Sequence, residues 1–252
     1  MRTHLHRAES LLDFISITSD LSNENSSIWF RGQSNSSWGL TPSIYREKYD
    51  ERSIRLHFER RLPSFISHSA LISRWEQYFL LQHHGAPTRL LDWSEGSLIS
   101  LYFAICDHSY GDSTNAAVWA INPRRLNTVT TGESIIWLPA EGDPDCDEYL
   151  PNLDDVNQLY DITGNLPVAL MPTHTSPRIS AQKGAFTIHG VEMNGFESVA
   201  SDIDIHKIIL PHNNIGTIQI QLRDCGISES VIFPDLDGLC RELKEHYIDS
   251  EE

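Results

Sequence analysis

Two stretches decide the predicted fold: Ile28-Trp29-Phe30-Arg31-Gly32-Gln33 and Gln82-His83-His84-Gly85-Ala86-Pro87-Thr88-Arg89-Leu90-Leu91-Asp92-Trp93. In each of them, charged and polar residues stand among aromatic and aliphatic ones. Burying a charge costs free energy unless the charge is paired or bound, so polar groups in such surroundings indicate a binding or catalytic site. We therefore expect both stretches to contribute to a site.

The spacing of apolar residues predicts a mixed order of helices and strands. We predict helices over residues 8–21, 51–69 with a break or kink at Pro63, 71–83, 95–107, 215–224 and 236–247. We predict strands over residues 28–31, 116–121, 168–171, 185–189 and 207–210. Gly85 fits a helix C-cap, Asp92 or Ser94 fits the next N-cap, and Asn122-Pro123 fits a turn that closes a strand. Residues 130–161 are expected to form mostly loop with short helical pieces.

Composition and charge exclude several classes of protein. The 252 residues are 40% hydrophobic and 21% charged, which fits one compact domain. The net charge of −16 opposes bulk binding to a nucleic-acid backbone, and the acidic stretches 141–161 and 249–252 are expected to be solvated. No apolar run is long enough for a membrane span or a secretory signal, and the four cysteines lack zinc-site spacing. We therefore expect a soluble, cytoplasmic protein with no membrane partner and no metal site.

Several residues have both a functional and a structural interpretation. Arg31 could bind a phosphate or carboxylate, or it could pair with an internal acid such as Asp92. His83 and His84 could be acid/base groups, or they could be placed by the dipole of a helix C-terminus. Gln182 could orient a ligand hydroxyl, or it could satisfy backbone groups in a hairpin. The residue pattern leaves these alternatives open.

The chain resembles the FRG domain family, whose name describes an aromatic-Arg-Gly tripeptide that stands here as Phe30-Arg31-Gly32. The resemblance covers residues 29–127, 178–189 and 231–238. It implies one FRG-type domain over residues 1–252, with a core at about 25–190 and a C-terminal strand and helix extension at 191–252 packed on that core. The family name implies a fold more directly than an activity.

The order of motifs also resembles that of ADP-ribosyltransferases of the Arg-Ser-Glu kind. This resemblance implies an α+β fold with a mixed or antiparallel central sheet split around a cleft, and with helices packed on the sheet. It also implies NAD as the substrate and a macromolecular acceptor, as in a toxin or an anti-phage defence effector. The expected NAD-binding residues are Arg31, Gly32, Gln33, Thr88, Arg89, Leu91, Trp93 and Ser94. The expected catalytic residues are Arg31, His83, Asp92 and Gln182.

One departure from the transferase pattern affects the expected chemistry. Gln182 occupies the stretch where the resemblance calls for a catalytic Glu, and an amide cannot act as a base. Either Asp92, Glu95 or Glu192 then takes that task, or turnover is weak. The alternatives are a non-catalytic nucleotide-binding or interaction module, and an NAD glycohydrolase in which water replaces the acceptor. A metal-dependent nuclease is disfavoured, because no recognised ligand set is present.

Overall fold

The computed structural model describes residues 3–25, 27–66, 72–109, 111, 113–139, 144–150, 153, 162–172 and 177–247. Much of the acidic stretch 141–161 and the whole tail 249–252 lie outside these ranges. The same holds for residues 67–71, at which one predicted helix ends and the next begins.

Seven strands form one mixed sheet. They are β1 (Thr3–Arg7), β2 (Trp29–Gln33), β3 (Leu90–Ser94), β4 (Ala116–Ile121), β5 (Val168–Leu170), β6 (Gly184–Ile188) and β7 (Ile205–Leu210), in the order β1-β7-β4-β2-β3-β6-β5. β1 and β7 are parallel, and the other neighbours are antiparallel. The α+β class and the mixed sheet are thus confirmed. Strand β7, from the predicted C-terminal extension, lies within the sheet between β1 and β4.

Eleven helices surround the sheet in the described part of the chain. They are α1 (Leu11–Glu24), α2 (Glu51–Arg61), α3 (Arg74–His83), α4 (Ser97–Ile105), α5 (Pro123–Thr131), α6 (Pro144–Tyr149), α7 (Pro177–Ala181), α8 (Gly195–Val199), α9 (His212–Asp224), α10 (Glu229–Ile232) and α11 (Leu236–His246). Capping explains several of their starts. At α3, for example, the Ser73 hydroxyl accepts a hydrogen bond from the backbone N–H of Glu76. In return, the Glu76 carboxylate accepts a hydrogen bond from the backbone N–H of Ser73.

The alternation of side chains along β2 assigns the two faces of the sheet. Trp29 and Phe30, which are adjacent, belong to different hydrophobic clusters. On the Phe30 face, helices α1, α4 and α9 pack on β4 and β7. On the Trp29 face, helices α5 and α8 pack on the same two strands, and Phe196 is one of the residues that α8 contributes. A third cluster joins α3 and α6 to β5 and β6. Both faces of the sheet are therefore covered.

Two local predictions were wrong, and one strand was missed. Neither Asp92 nor Ser94 caps a helix, because both lie in β3, and Gly96 is the N-cap of α4. Asn122-Pro123 does not form a simple turn but starts α5. The Asn122 side chain accepts from two backbone N–H groups, and Pro123 takes the first helical position, where a missing N–H costs nothing. Strand β1, with its polar sequence Thr3–Arg7, was not predicted at all.

The other boundaries follow the sequence pattern more closely. Helix α2 ends at Arg61, and a 3₁₀ turn over Leu62–Ser64 contains Pro63, so the predicted break is confirmed. Gly85 follows α3 with a φ of 76°, a conformation that glycine adopts without a Cβ penalty. The chain therefore turns after α3 where predicted and then enters β3.

Strand β2 lies very close to helix α4 at Gly32. A Cβ atom at this position would lie 2.0 Å from the Ser100 carbonyl oxygen and 2.6 Å from the Ala104 backbone nitrogen. Both atoms belong to the helix backbone and cannot move away without displacing α4. Gly32 is therefore required for the packing of the strand against the helix.

We predict that Gly32→Ala lowers the free energy of unfolding by about 3 kcal/mol, because the added methyl group overpacks the strand–helix contact. Gly216→Ala is the matched control. Gly216 lies on α9, and a Cβ there meets nothing within 4 Å, so this change is expected to stabilise the protein by up to about 1 kcal/mol. Urea unfolding of both variants measures the difference, and equal stability would show that α4 does not restrict this position.

Candidate functional site

A pocket of about 360 Å³ is lined by residues of both β2 and β3. β2 pairs with β4 from Trp29 to Gln33, but its backbone pairing with β3 consists of Phe30 and Ser94 in the described part of the chain. The polar lining residues include Arg31, Gln82, His83, Asp92, Ser94, Ser100, Arg178 and Gln182, and the aromatic ones are Phe30, Phe79, Trp93, Phe103 and Phe186. Volume, apolar walls and a few polar groups are typical of a small-molecule site.

Arg31 connects the two strands at this pocket. Its Nη1 donates a hydrogen bond of 2.7 Å to the backbone oxygen of Asp92 and lies 3.5 Å from Asp92 Oδ2. The arginine side chain is 14% exposed and the Asp92 side chain 57%. Burial lowers the pKa of Arg31, and the charge of Asp92 opposes that shift. The ion pair considered from the sequence is thus present, and both of its members line the pocket.

Asp92 is held by a second partner on α3. Gln82 Nε2 donates a hydrogen bond of 2.7 Å to Asp92 Oδ2, and Gln82 Oε1 in turn accepts one from the hydroxyl of Thr88. Among the described lining residues, Asp92 is the acidic one. Of the other sequence candidates for a base, Glu95 is exposed and Glu192 is half-buried, and neither lines the pocket. A catalytic carboxylate in this pocket would therefore be Asp92.

Gln182 and Ser94 join the turn before β6 to β3. Ser94 Oγ donates a hydrogen bond of 2.7 Å to the backbone oxygen of Gln182, and Gln182 Nε2 donates one of 3.2 Å to the backbone oxygen of Ile232. The structural interpretation of Gln182 holds for one bond, because its side-chain amide donates to a backbone carbonyl, that of Ile232. A carboxamide has two N–H donors and one acceptor, so this single bond does not exhaust it.

His83 lies at the end of α3 and lines the pocket. Burial, followed by the positive charge of Arg178, lowers its pKa from the ordinary value, so the imidazole is neutral at neutral pH. A helix C-terminus alone stabilises a protonated histidine and shifts the pKa in the opposite direction. A neutral imidazole can accept a proton.

Four of the predicted NAD-binding residues do not line the pocket. Leu91 is a core residue, and Thr88 is buried between Ser43, Gln82 and the backbone of Leu90. Gln33 is buried as well: its side chain accepts from the Trp119 indole and donates to a backbone oxygen. Their polar groups are satisfied by the protein itself. The fourth residue is Arg89.

Arg89 is a buried structural cation. Its Nε lies 2.9 Å from Glu51 Oε2, and its Nη1 donates a hydrogen bond of 2.8 Å to the backbone oxygen of His189. Tyr78 donates to the same carboxylate and accepts from the Arg89 backbone N–H. Burial and the nearby Glu51 charge raise the pKa of Tyr78, which stays protonated. This cluster joins α2, α3 and β3 and leaves Arg89 fully shielded from solvent.

His189 is a second buried polar group near these cations. Its ring lies against Phe196, with ring centroids 5.3 Å apart, and neither ring nitrogen has a hydrogen-bond partner among the described residues. Burial, reinforced by the charges of Arg89 and Arg31, lowers its pKa to about 3. The imidazole is therefore neutral in the folded protein across the physiological range.

Sequence reasoning missed two contributors to the site. Arg178 lies in a segment that had been singled out, but the expected role there was given to Gln182. Phe233 places its ring 4.6 Å from the Arg178 guanidinium carbon, although the two residues are far apart along the chain. A signal for Arg178 was present, because it is a cation at the start of a segment that leads into a buried strand. No local pattern indicated its contact with Phe233.

Comparison with known proteins finds one family match within the chain. The model of the FRG domain matches residues 26–113, so the chain contains an FRG domain, as Phe30-Arg31-Gly32 implied. The match includes β2, β3 and α4, whereas the resembling segments 178–189 and 231–238 lie outside it. No curated protein and no solved structure gives a significant match to the chain.

The described residues include no group of three or more His, Cys, Asp or Glu side chains placed to hold a metal ion. None of the described helices combines the length and apolar character needed to span a membrane.

We predict that Glu51→Ala lowers the free energy of unfolding by about 3 kcal/mol, because it removes a buried carboxylate that pairs with Arg89 and accepts a hydrogen bond from Tyr78. Replacing both partners, as in Glu51→Leu with Arg89→Met, is expected to recover most of that loss. Glu9→Ala, which removes a surface pair with Arg7, serves as the control and should cost less than about 1 kcal/mol. A small effect of Glu51→Ala in urea unfolding would contradict the structural role of Arg89.

We predict that His189 makes the protein acid-sensitive. Because its pKa is lower in the folded than in the unfolded state, its contribution to stability is complete above the unfolded pKa and is lost as pH falls towards the folded value. Between about pH 7 and pH 5, the wild type should lose about 2 kcal/mol more than His189→Phe. His57→Phe, at an exposed position, is the control. Equal pH dependence of all three proteins would refute the prediction.

Proposed function

We propose that the pocket binds NAD and that this FRG-domain protein is an NAD-dependent ADP-ribosyltransferase acting on a macromolecular acceptor. The observation that carries the proposal is the pairing of a buried arginine, Arg31, with an open carboxylate, Asp92, in one aromatic-walled pocket. The order of motifs supports the same assignment, because Phe30-Arg31-Gly32 and the segment around Asp92 correspond in placement to the first two transferase motifs.

Charge supports a phosphorylated ligand. The whole chain carries a net charge of −16, yet the described lining residues include two arginines and one aspartate. An arginine fork binds phosphate oxygens through two parallel hydrogen bonds, and a pocket shielded from water strengthens that attraction. Arg31 Nε is buried and has no hydrogen-bond partner among the described residues, so the protein leaves one guanidinium donor unused beside the pocket.

The residues of the pocket suit transfer at the ribose C1′ atom. In that reaction the bond between C1′ and the nicotinamide nitrogen breaks, and nicotinamide leaves with the electron pair. The acceptor nucleophile forms the new bond to C1′ and gives up a proton. The carboxylate of Asp92 is placed to stabilise the positive charge that develops on the ribose, and Asp92 or the neutral imidazole of His83 can take the proton. Gln182 and Ser94 can orient ribose hydroxyl groups.

A second candidate is a nucleotide-binding module without turnover. It is favoured by the position of Gln182, an amide where the transferase resemblance calls for a carboxylate, and by the engagement of Asp92 with both Arg31 and Gln82. A third outcome is NAD hydrolysis, in which water attacks C1′. The three functions share the pocket and differ in their products.

We predict that Arg31→Gln weakens NAD binding at least about tenfold, because it removes a charge-assisted contact. Asp92→Asn should bind NAD but stop nicotinamide release if the carboxylate acts in the reaction. Arg7→Ala, which changes an exposed arginine, is the control. Titration calorimetry measures binding, and mass spectrometry detects both free nicotinamide and ADP-ribose attached to protein or nucleic acid in a cell extract.

The products separate the alternatives. ADP-ribose attached to a macromolecule supports the transferase, release of nicotinamide without any acceptor supports hydrolysis, and binding without nicotinamide release supports the module. If the folded wild-type protein does not bind NAD, the proposal is wrong. Thermal unfolding of Arg31→Gln in the absence of ligand distinguishes lost binding from lost folding.

A further inference from the structure

Arg178 brings a second guanidinium to the pocket, from α7. In the described part of the chain its side chain makes no hydrogen bond and no ion pair, and the contact that holds the guanidinium is with the ring of Phe233. It is close enough to Asp92 to feel that charge, and burial lowers its pKa, but an arginine remains charged at neutral pH. A charged group with unused donors in a pocket favours a ligand that supplies acceptors.

Phe233 fixes the orientation of Arg178. The Arg178 Cζ lies 4.6 Å from the centroid of the Phe233 ring, and the Arg241 Cζ lies 5.2 Å from the same centroid. The ring edge of Phe233 also meets Phe103, a lining residue, at a centroid distance of 6.0 Å and an interplanar angle of 90°. A guanidinium that stacks on a ring keeps the N–H donors in its plane available for a ligand.

The segment that carries Phe233 is anchored at several places. Glu229 pairs with Arg241 and accepts a hydrogen bond from the Tyr102 hydroxyl. Helix α11 packs closely on Phe233, because a Cβ on Gly238 would lie 2.1 Å from the Phe233 carbonyl oxygen. The position of the ring is therefore set by α4, α10 and α11 together.

We propose that Arg31 and Arg178 form a two-guanidinium site for the diphosphate of a nucleotide, and that Phe233 is the positioning residue that holds Arg178 in it. The nucleotide part of this inference rests on the proposed function, whereas the diphosphate part rests on the two guanidiniums alone. It also means that residues well beyond the FRG match contribute to binding.

The test uses calorimetric titration of the full chain with inorganic pyrophosphate, ADP, NAD and adenosine. Arg178→Gln should weaken pyrophosphate and ADP binding at least about tenfold and leave adenosine binding nearly unchanged. Phe233→Leu should weaken the same two ligands severalfold, and Phe233→Tyr, which keeps the aromatic face, should restore binding. The double variant with Arg178→Gln and Phe233→Leu should bind no more weakly than Arg178→Gln alone. Leu236→Ala, at a side chain 78% exposed, is the matched control.

The outcomes separate this inference from the proposed function. If the wild type binds pyrophosphate but not NAD, the anion site stands and the transferase proposal fails. If Arg178→Gln binds pyrophosphate and ADP as the wild type does while Arg31→Gln does not, Arg178 has no role and the inference is overturned. It is also overturned if the wild type binds neither anion, or if Phe233→Leu and Phe233→Tyr bind equally well. Thermal unfolding of each variant verifies that it is folded.

Discussion

The pocket depends on one side chain, because Arg31 joins β2 to β3 where their backbone pairing is limited to Phe30 and Ser94. Its guanidinium donates to a backbone oxygen of β3 and faces the carboxylate of the same residue, Asp92. The contact joins the two strands at one wall of the pocket, where the arginine side chain is mostly buried and the Asp92 side chain is exposed. The structural interpretation of Arg31 is therefore met, and its role in binding stays a proposal.

Local patterns predicted the elements whose signals lie within a few residues. Helices α3 and α4 followed from the periodicity of their apolar residues, and the turn at Gly85 followed from C-cap chemistry. Strand β1 was missed because it is short and polar, and because its neighbour β7 is far along the chain. Helix α5 was missed because an Asn-Pro pair suits both a turn and a helix start, and the packing of the following residues decides between them.

For the site, the sequence identified the segments but not the direction of every side chain. Arg31 and Arg89 are both arginines within apolar strand-like stretches, yet the first lines the pocket and the second is fully buried against Glu51. The Glu51 carboxylate lies 38 residues away along the chain, at the start of α2, so no local pattern could identify it as the partner of Arg89. The partners of Arg178 are likewise set by the tertiary fold. Composition identifies candidate residues, whereas long-range packing selects among them.

The parallel pairing of β1 with β7 has a consequence for how the chain folds. Hydrogen-bonded partners on these two strands, such as His6 and His206, are 200 positions apart. Contacts of such high sequence separation form slowly, because a long loop must close before any of them is made. During translation, β1 leaves the ribosome long before β7. Until β7 has been synthesised, the backbone N–H and C=O groups of β1 have no partner strand. We expect the sheet to be completed late, because β1 takes its place at the sheet edge only after β7 has formed.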